Sequence, residues 1–207
     1  MSVVLYHHPF TRAAGVVGQL EEVGCDYTLE FVDLATGRHK QADFRSRNPM
    51  GKVPVLVDGD VTVTESAAIG LYLADRYAPG RLAPALDDPR RGTYLRWSFF
   101  APSVVEPAAM AHKAGWEVQA AQAGWGTYGE VLDTMEAAIG AGPWLLGEQF
   151  SMADLIFGGT LRYMLMFGLV ESRASFVAYA ARLAERPALV RAEARNQAVA
   201  AERGIGR

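Results

Sequence analysis

Asn48-Pro49-Met50-Gly51-Lys52-Val53-Pro54-Val55-Leu56-Val57, followed shortly by Thr64-Glu65-Ser66, is the stretch on which the fold turns. It reads as a loop, an apolar strand Val53–Val57, a turn at Asp58-Gly59-Asp60 with hairpin chemistry, a strand Val61–Thr64 and the opening of a helix. Proline cannot donate to a sheet ladder, so Pro54 belongs at the first residue of a strand or on an edge. A cis Val53-Pro54 peptide would leave the N–H and C=O of Val53 to an extended partner from outside the chain. Glu65 and Ser66 add an acid and a hydroxyl at a helix start, where the dipole favours an anion. Together these residues suit a peptide-like ligand with an anionic end.

Upstream, Val3-Val4-Leu5-Tyr6 is β-prone and stops at His7-His8-Pro9. From Thr11 to Val23, Val16, Val17, Leu20 and Val23 form one helical stripe, and Gly24 is a suitable stop. Tyr27 to Phe31 alternates as a strand, and the polar segment Leu34 to Asn48 reads as a loop with a short helix around Lys40 to Arg47. Ala67 to Tyr77 is helical, with Ile69, Tyr72, Leu73 and Tyr77 on one side. The order β-α-β-α-β-β-α predicts an α/β domain over residues 1–78, with a right-handed parallel crossover and an antiparallel hairpin at its edge.

Residues 79–88 carry Pro79, Gly80 and Pro84 and read as a linker. Residues 89–207 show no strand pattern and predict an all-α helical domain. Arg90 to Lys113 is helical and rich in aromatic residues, with kinks or breaks expected at Pro102 and Pro107. A second helix runs through Tyr128, Val131, Leu132, Met135 and Ile139. Ser151 and Asp154 form a capping box, with Phe150 and Leu155 as its staple, opening a helix that runs to Phe167. Two further helices are expected at Ala174 to Glu185 and Ala188 to Ala201.

Half of the 207 residues are hydrophobic and 21% are charged, which suits a globular chain with a sizeable core. The net charge of -3, with mixed signs, gives no electrostatic case for a nucleic acid or a membrane as partner. A single cysteine, Cys25, excludes an internal disulfide and a Cys-rich metal site. It follows a helix-ending glycine and reads as a small buried residue. His7 and His8 lack further ligands at a plausible spacing, so no metal is expected. No apolar run approaches the roughly 20 residues of a membrane span. Met1-Ser2-Val3-Val4-Leu5-Tyr6 has neither a basic start nor a long apolar run, so a cytoplasmic protein is expected.

The motif from Asn48 to Leu56, with Glu65-Ser66 opening a helix, resembles the glutathione S-transferases. Gly37-Arg38-His39-Lys40 and Phe44 are most similar to theta-type and related bacterial members. The resemblance spans essentially the whole chain and is more specific in its amino-terminal half. It implies a thioredoxin-like amino-terminal domain, a helical second domain, glutathione as co-substrate without a metal, and a homodimer. In this pattern Val53 offers its main chain to the cysteinyl unit of glutathione, and Pro54 fixes the turn. Glu65 pairs with the γ-glutamyl ammonium, Ser66 holds the α-carboxylate, and His39 and Lys52 take the glycine carboxylate.

A free thiol has a pKa of about 8.5, so the thiolate must be stabilised. The family places a Tyr, Ser or Cys in the loop after the first strand or at the next helix start. Here Tyr6-His7-His8-Pro9-Phe10-Thr11-Arg12 holds neither Ser nor Cys, and Tyr6 is expected to point into the sheet. Thr11 is the candidate, His8 the runner-up, and Arg12 adds positive potential. The missing cysteine argues against thiol exchange of the glutaredoxin or omega type. Wall candidates for an apolar electrophile are Phe10, Trp97, Phe100, Met110 and Trp116. The bland alternatives are that Thr11 and Ser66 are plain helix caps, that Val53-Pro54 only starts a strand, and that the aromatic residues are core. The activity implied is conjugation of the glutathione thiolate to an electrophilic, mainly apolar small molecule, a detoxification chemistry. The alternatives are another glutathione-dependent enzyme on this fold (isomerase, dehalogenase or ether-cleaving lyase) and a non-catalytic binding protein. The missing Ser-Ser-Cys motif lowers the isomerase option.

Overall fold

Residues 3–206 are described by the computed structural model; Met1 and Ser2, on which the expected lack of a leader partly rests, lie outside them. Alternation along the first strand, β1 (Val3–His7), divides the sheet into two faces. Val3, Leu5 and His7 are buried, whereas Val4 and Tyr6 are half-buried. The strand thus runs one residue beyond the expected stop, because His7 still pairs with Phe31 of β2 (Tyr27–Phe31). Strands β3 (Val55–Asp58) and β4 (Val61–Thr64) complete a sheet of order β2-β1-β3-β4. The β1–β2 pair is parallel, and the β1–β3 and β3–β4 pairs are antiparallel. The strand expected at Val53 begins only at Val55, after a cis Val53-Pro54 peptide.

Helix α1 (Arg12–Val23) buries Val16, Val17, Leu20 and Val23, the expected stripe, and ends at Gly24 in the left-handed conformation. A short 3-10 turn at Arg38–Lys40 precedes α2 (Ala42–Arg45), whose Phe44 packs with Val32 and Val55 on the Tyr6 face of the sheet. Tyr6 meets Phe44 edge-on at 5.9 Å. Helix α3 (Ser66–Tyr77) packs on α1. Asp58, at the end of β3, anchors α3 by accepting hydrogen bonds from the Tyr72 and Tyr77 hydroxyls at 2.9 and 2.6 Å and pairing with Arg76.

Two compact units divide the chain: residues through Ala78 join those from Arg186 onward, and Pro79–Glu185 form the second. The last helix, α9 (Pro187–Glu202), lies against α1. The approach is close at Gly18, where a Cβ would stand 2.8 Å from a methyl of Leu189. Ala188 and Ala192 are buried on α9. Arg186 binds Glu22, and Arg191 and Arg195 both pair with Glu21.

The second unit is helical: α4 (Arg91–Phe100), α5 (Glu106–Lys113), α6 (Tyr128–Gly140), α7 (Met152–Met166) and α8 (Ala174–Ala184). Pro102 does not break the first of these outright. It lies in a π-helical turn, Ala101–Val105, and Pro107 falls in the first turn of α5. Proline lacks an N–H and crowds the carbonyl four residues back, and the wider register relieves both. The α7 cap forms as expected: Asp154 accepts from the Ser151 N–H and hydroxyl at 2.9 and 3.0 Å, and its other oxygen takes the Leu145 N–H and the Tyr179 hydroxyl.

Candidate functional site

Strand register brings the sequence motifs together. Tyr6 of β1 pairs with Val55 of β3, and Val55 pairs with Thr64 of β4. The chain leaving β1 (His8 to Thr11), the chain entering β3 (Lys52 to Pro54) and the chain leaving β4 (Glu65, Ser66) therefore meet at one end of the sheet.

At the centre of that end, Val53 is half-buried and precedes the β3 ladder, and its side chain packs beside Val55 and Phe44. Among the described residues no hydrogen bond engages its main-chain N–H or C=O. The loop before it is built on buried Asn48. The Asn48 side chain accepts from the Met50 N–H at 3.1 Å and donates to the Lys52 C=O at 2.9 Å. Gly51 has φ +58°, and a Cβ there would stand 2.6 Å from the His39 carbonyl oxygen. Lys40 is exposed and donates to the Met50 and Gly51 carbonyls, both at 3.1 Å. This staple holds the His39 turn against the Lys52 loop. His39 is half-buried, with no partner for its buried Nδ1 among the described residues, and Lys52 is exposed.

Glu65 has φ 66° and ψ 120°, a conformation that costs a side-chain-bearing residue about 1–3 kcal/mol. It is exposed, and its side chain does not cap α3. The first intrahelical bond, Ile69 N–H to Glu65 C=O at 2.9 Å, leaves the N–H groups of Ser66, Ala67 and Ala68 pointing out of the helix end. Ser66 is half-buried, and its carbonyl accepts from buried Gln19 of α1 at 3.3 Å.

Thr11 caps α1, its oxygen accepting from the Ala13 N–H at 3.1 Å and its proton going to the His8 carbonyl at 2.7 Å. Phe10 holds φ 63° and is 37% exposed. The His8 ring stacks on Phe31, with centroids 5.4 Å apart. Of the other wall candidates, all in the second unit, Trp97 is 6% exposed and packs edge-on against Phe100 and Phe157 in the core. Met110 is 50% and Trp116 68% exposed. Cys25 is half-buried ahead of β2, and burial pushes its thiol pKa up, away from nucleophilic character.

Two family models match the chain: the glutathione S-transferase N-terminal domain over residues 1–75 and the glutathione S-transferase C-terminal domain over residues 118–191. Glutathione S-transferase F14 of Arabidopsis thaliana is 31% identical over 187 residues, 82% of this chain and 74% of that one. The chain belongs to the glutathione S-transferase family. A glutathione transferase from Methylococcus capsulatus superposes with a TM-score of 0.78 at 30% identity, covering 94% of this chain and 98% of that one. The glutathione transferase URE2P6 of Phanerochaete chrysosporium, solved in complex with oxidized glutathione, gives 0.78 at 26% identity, covering 96% and 97%.

Within this family member, the structure adds residues that the sequence pattern did not single out. Gln19 sits on the apolar stripe of α1, and that interruption was its only signal. His7 falls on the buried parity of β1 with Val3 and Leu5, and is fully buried. Its Nε2 lies 2.7 Å from Asn196 Oδ1, whose partner Nδ2 donates to the Ala14 carbonyl at 3.2 Å. That amide orientation makes His7 Nε2–H the donor. Burial depresses the His7 pKa, against the opposing pull of this bond. No local sequence signal pairs residues 189 positions apart.

Proposed function

We propose that the chain is a working glutathione S-transferase, conjugating the glutathione thiolate to an electrophilic, mainly apolar small molecule. The observation that carries it is the register Tyr6–Val55–Thr64, which gathers Val53, Glu65-Ser66 and the start of α1 at one sheet end. Residues 1–78 form the glutathione-binding domain. The Val53 N–H and C=O pair with the cysteinyl unit as an added strand would. The Ser66 N–H and hydroxyl take the γ-glutamyl carboxylate at the positive end of α3, and Glu65 takes the ammonium. His39 and Lys52 face the glycine carboxylate, and Pro54 fixes the approach.

The sulfur then lies at the α1 start. Binding exchanges the Thr11–His8 hydrogen bond for one from the Thr11 hydroxyl to the thiolate, with the helix dipole adding to it. The thiolate attacks the electrophilic carbon, the C–S bond forms as the leaving group departs with its electron pair, and the thiol proton goes to water. Phe10, the exposed neighbour of Thr11 in the same unit, is the side chain offered to the electrophile. A cytoplasmic homodimer acting in detoxification completes the assignment.

The committed Thr11 proton is the observation that favours a non-catalytic binding protein. Titration with glutathione, following thiolate absorbance against pH, separates the two. The expected result is binding with the thiol pKa lowered below about 8.5, an effect lost in Thr11→Ala. Ser66→Ala should weaken binding by about tenfold, the loss of one charge-assisted hydrogen bond. Absence of binding to the unaltered protein would refute the assignment, and binding with an unshifted thiol would leave a binding module.

A further inference from the structure

The loop that carries Thr11 is held from two sides. From within, the Thr11 hydroxyl closes onto the His8 carbonyl. From outside, one side chain of α9 grips both ends: Asn196 Oδ1 accepts from the ring of His7, the residue before the loop, and Asn196 Nδ2 donates to the carbonyl of Ala14, in the first turn after it. The grip is dry. His7 is 0% and Asn196 9% exposed, and His7 Nδ1 has no partner among the described residues, so Asn196 supplies the hydrogen bond of that ring. A buried polar group that loses its partner moves to find another, and His7 is joined directly to His8.

The loop has little other freedom. Pro9 fixes one φ, and Phe10 is held at a positive φ of 63°, which persists only when surrounding contacts over-determine it. Asn196 lies outside the stretches matched by the two family models, residues 1–75 and 118–191.

We propose that Asn196 is a positioning residue for the reaction, clamping His7 and Ala14 so that the Thr11 hydroxyl and the α1 start face the glutathione sulfur. It touches no reacting atom. This inference rests on the glutathione-binding assignment above. A misplacement of about 1 Å at a reacting group costs up to about a hundredfold in rate. Asn196→Ala is therefore expected to lower kcat about tenfold and raise the thiol pKa of bound glutathione by about one unit, with the glutathione KM nearly unchanged. KM is spared because Val53, Glu65 and Ser66 lie on other segments.

The experiment measures thiolate absorbance against pH, kcat and KM on the full chain for the unaltered protein, Asn196→Ala, Asn196→Asp, His7→Gln and His7→Leu. Asn196→Asp retains an acceptor for His7 but turns an oxygen toward the Ala14 carbonyl. It breaks the grip on the Ala14 side alone and should show a raised thiol pKa. His7→Gln offers an amide N–H to Asn196 Oδ1 and should restore more of the lowered thiol pKa than His7→Leu. An unchanged thiol pKa in both Asn196 variants overturns the proposal, even if their melting temperatures fall, because the residue is then structural only. His7→Gln and His7→Leu shifting the thiol equally would trace the effect to the imidazole and overturn the clamp. A failure of the unaltered protein to bind glutathione or lower its thiol pKa would instead refute the underlying assignment.

Discussion

Glu65 is where the cost of the proposed glutathione site shows in one residue. Its φ of 66° and ψ of 120° suit glycine, yet the position carries an acid that makes no capping bond to its own helix. Glu65→Gly should leave stability unchanged or raise it by about 1 kcal/mol, in chemical denaturation, while weakening glutathione binding by tenfold or more in calorimetry. A loss of stability as large as the loss of affinity would mean that the residue serves the fold. The acid and hydroxyl at 65–66 were legible in the sequence, because a helix start after a hairpin is a local pattern. The backbone strain was not, since the register of β4 and the packing of α3 impose it. Thr11 was legible as a residue at a helix start, while the destination of its proton, the His8 carbonyl, depended on the shape of the loop.

Strand register gathers the segments of the site, and turns and helix joints set the geometry within each of them. The 3-10 turn at Arg38–Lys40 presses on the Asn48–Lys52 loop through Lys40 and through the contact of Gly51 with His39. Gly51→Ala adds a Cβ 2.6 Å from the His39 oxygen at a backbone φ of +58°. It should destabilise the chain by about 1–3 kcal/mol in denaturant titration. Displacing His39 and Lys52 should also weaken binding of glutathione more than of an analogue lacking the glycine carboxylate. Equal weakening of the two ligands would remove His39 and Lys52 from that role. Periodicity read most helices to within a residue or two, because amphipathic stripes and caps such as Ser151 with Asp154 are local. The switch from α4 through a π-helical turn to α5 was anticipated only as kinks or breaks at Pro102 and Pro107. Whether a proline kinks a helix or widens it is decided by what packs around it.

At the scale of the whole molecule, His7 makes stability depend on pH. Burial lowers its folded pKa below the ordinary 6.5, so the neutral ring is favoured in the folded chain. Its stabilising contribution is complete above about pH 6.5 and is lost as pH falls below that value toward the folded pKa. Melting temperature should therefore drop as pH falls below about 6.5 more steeply in the unaltered protein than in His7→Gln. Parallel curves would assign the acid sensitivity to other groups. Sequence order also concealed how the first unit is completed. Its helix α1 is covered by α9, which closes on Gly18 and ties Glu21, Glu22, His7 and Ala14 to the far end of the chain. During synthesis the amino-terminal segment emerges first, yet its buried histidine and the exposed flank of α1 wait for the last helix to arrive. Loss of α9 would thus strike the unit that is translated first, while the helical unit translated just before α9 would keep its own contacts.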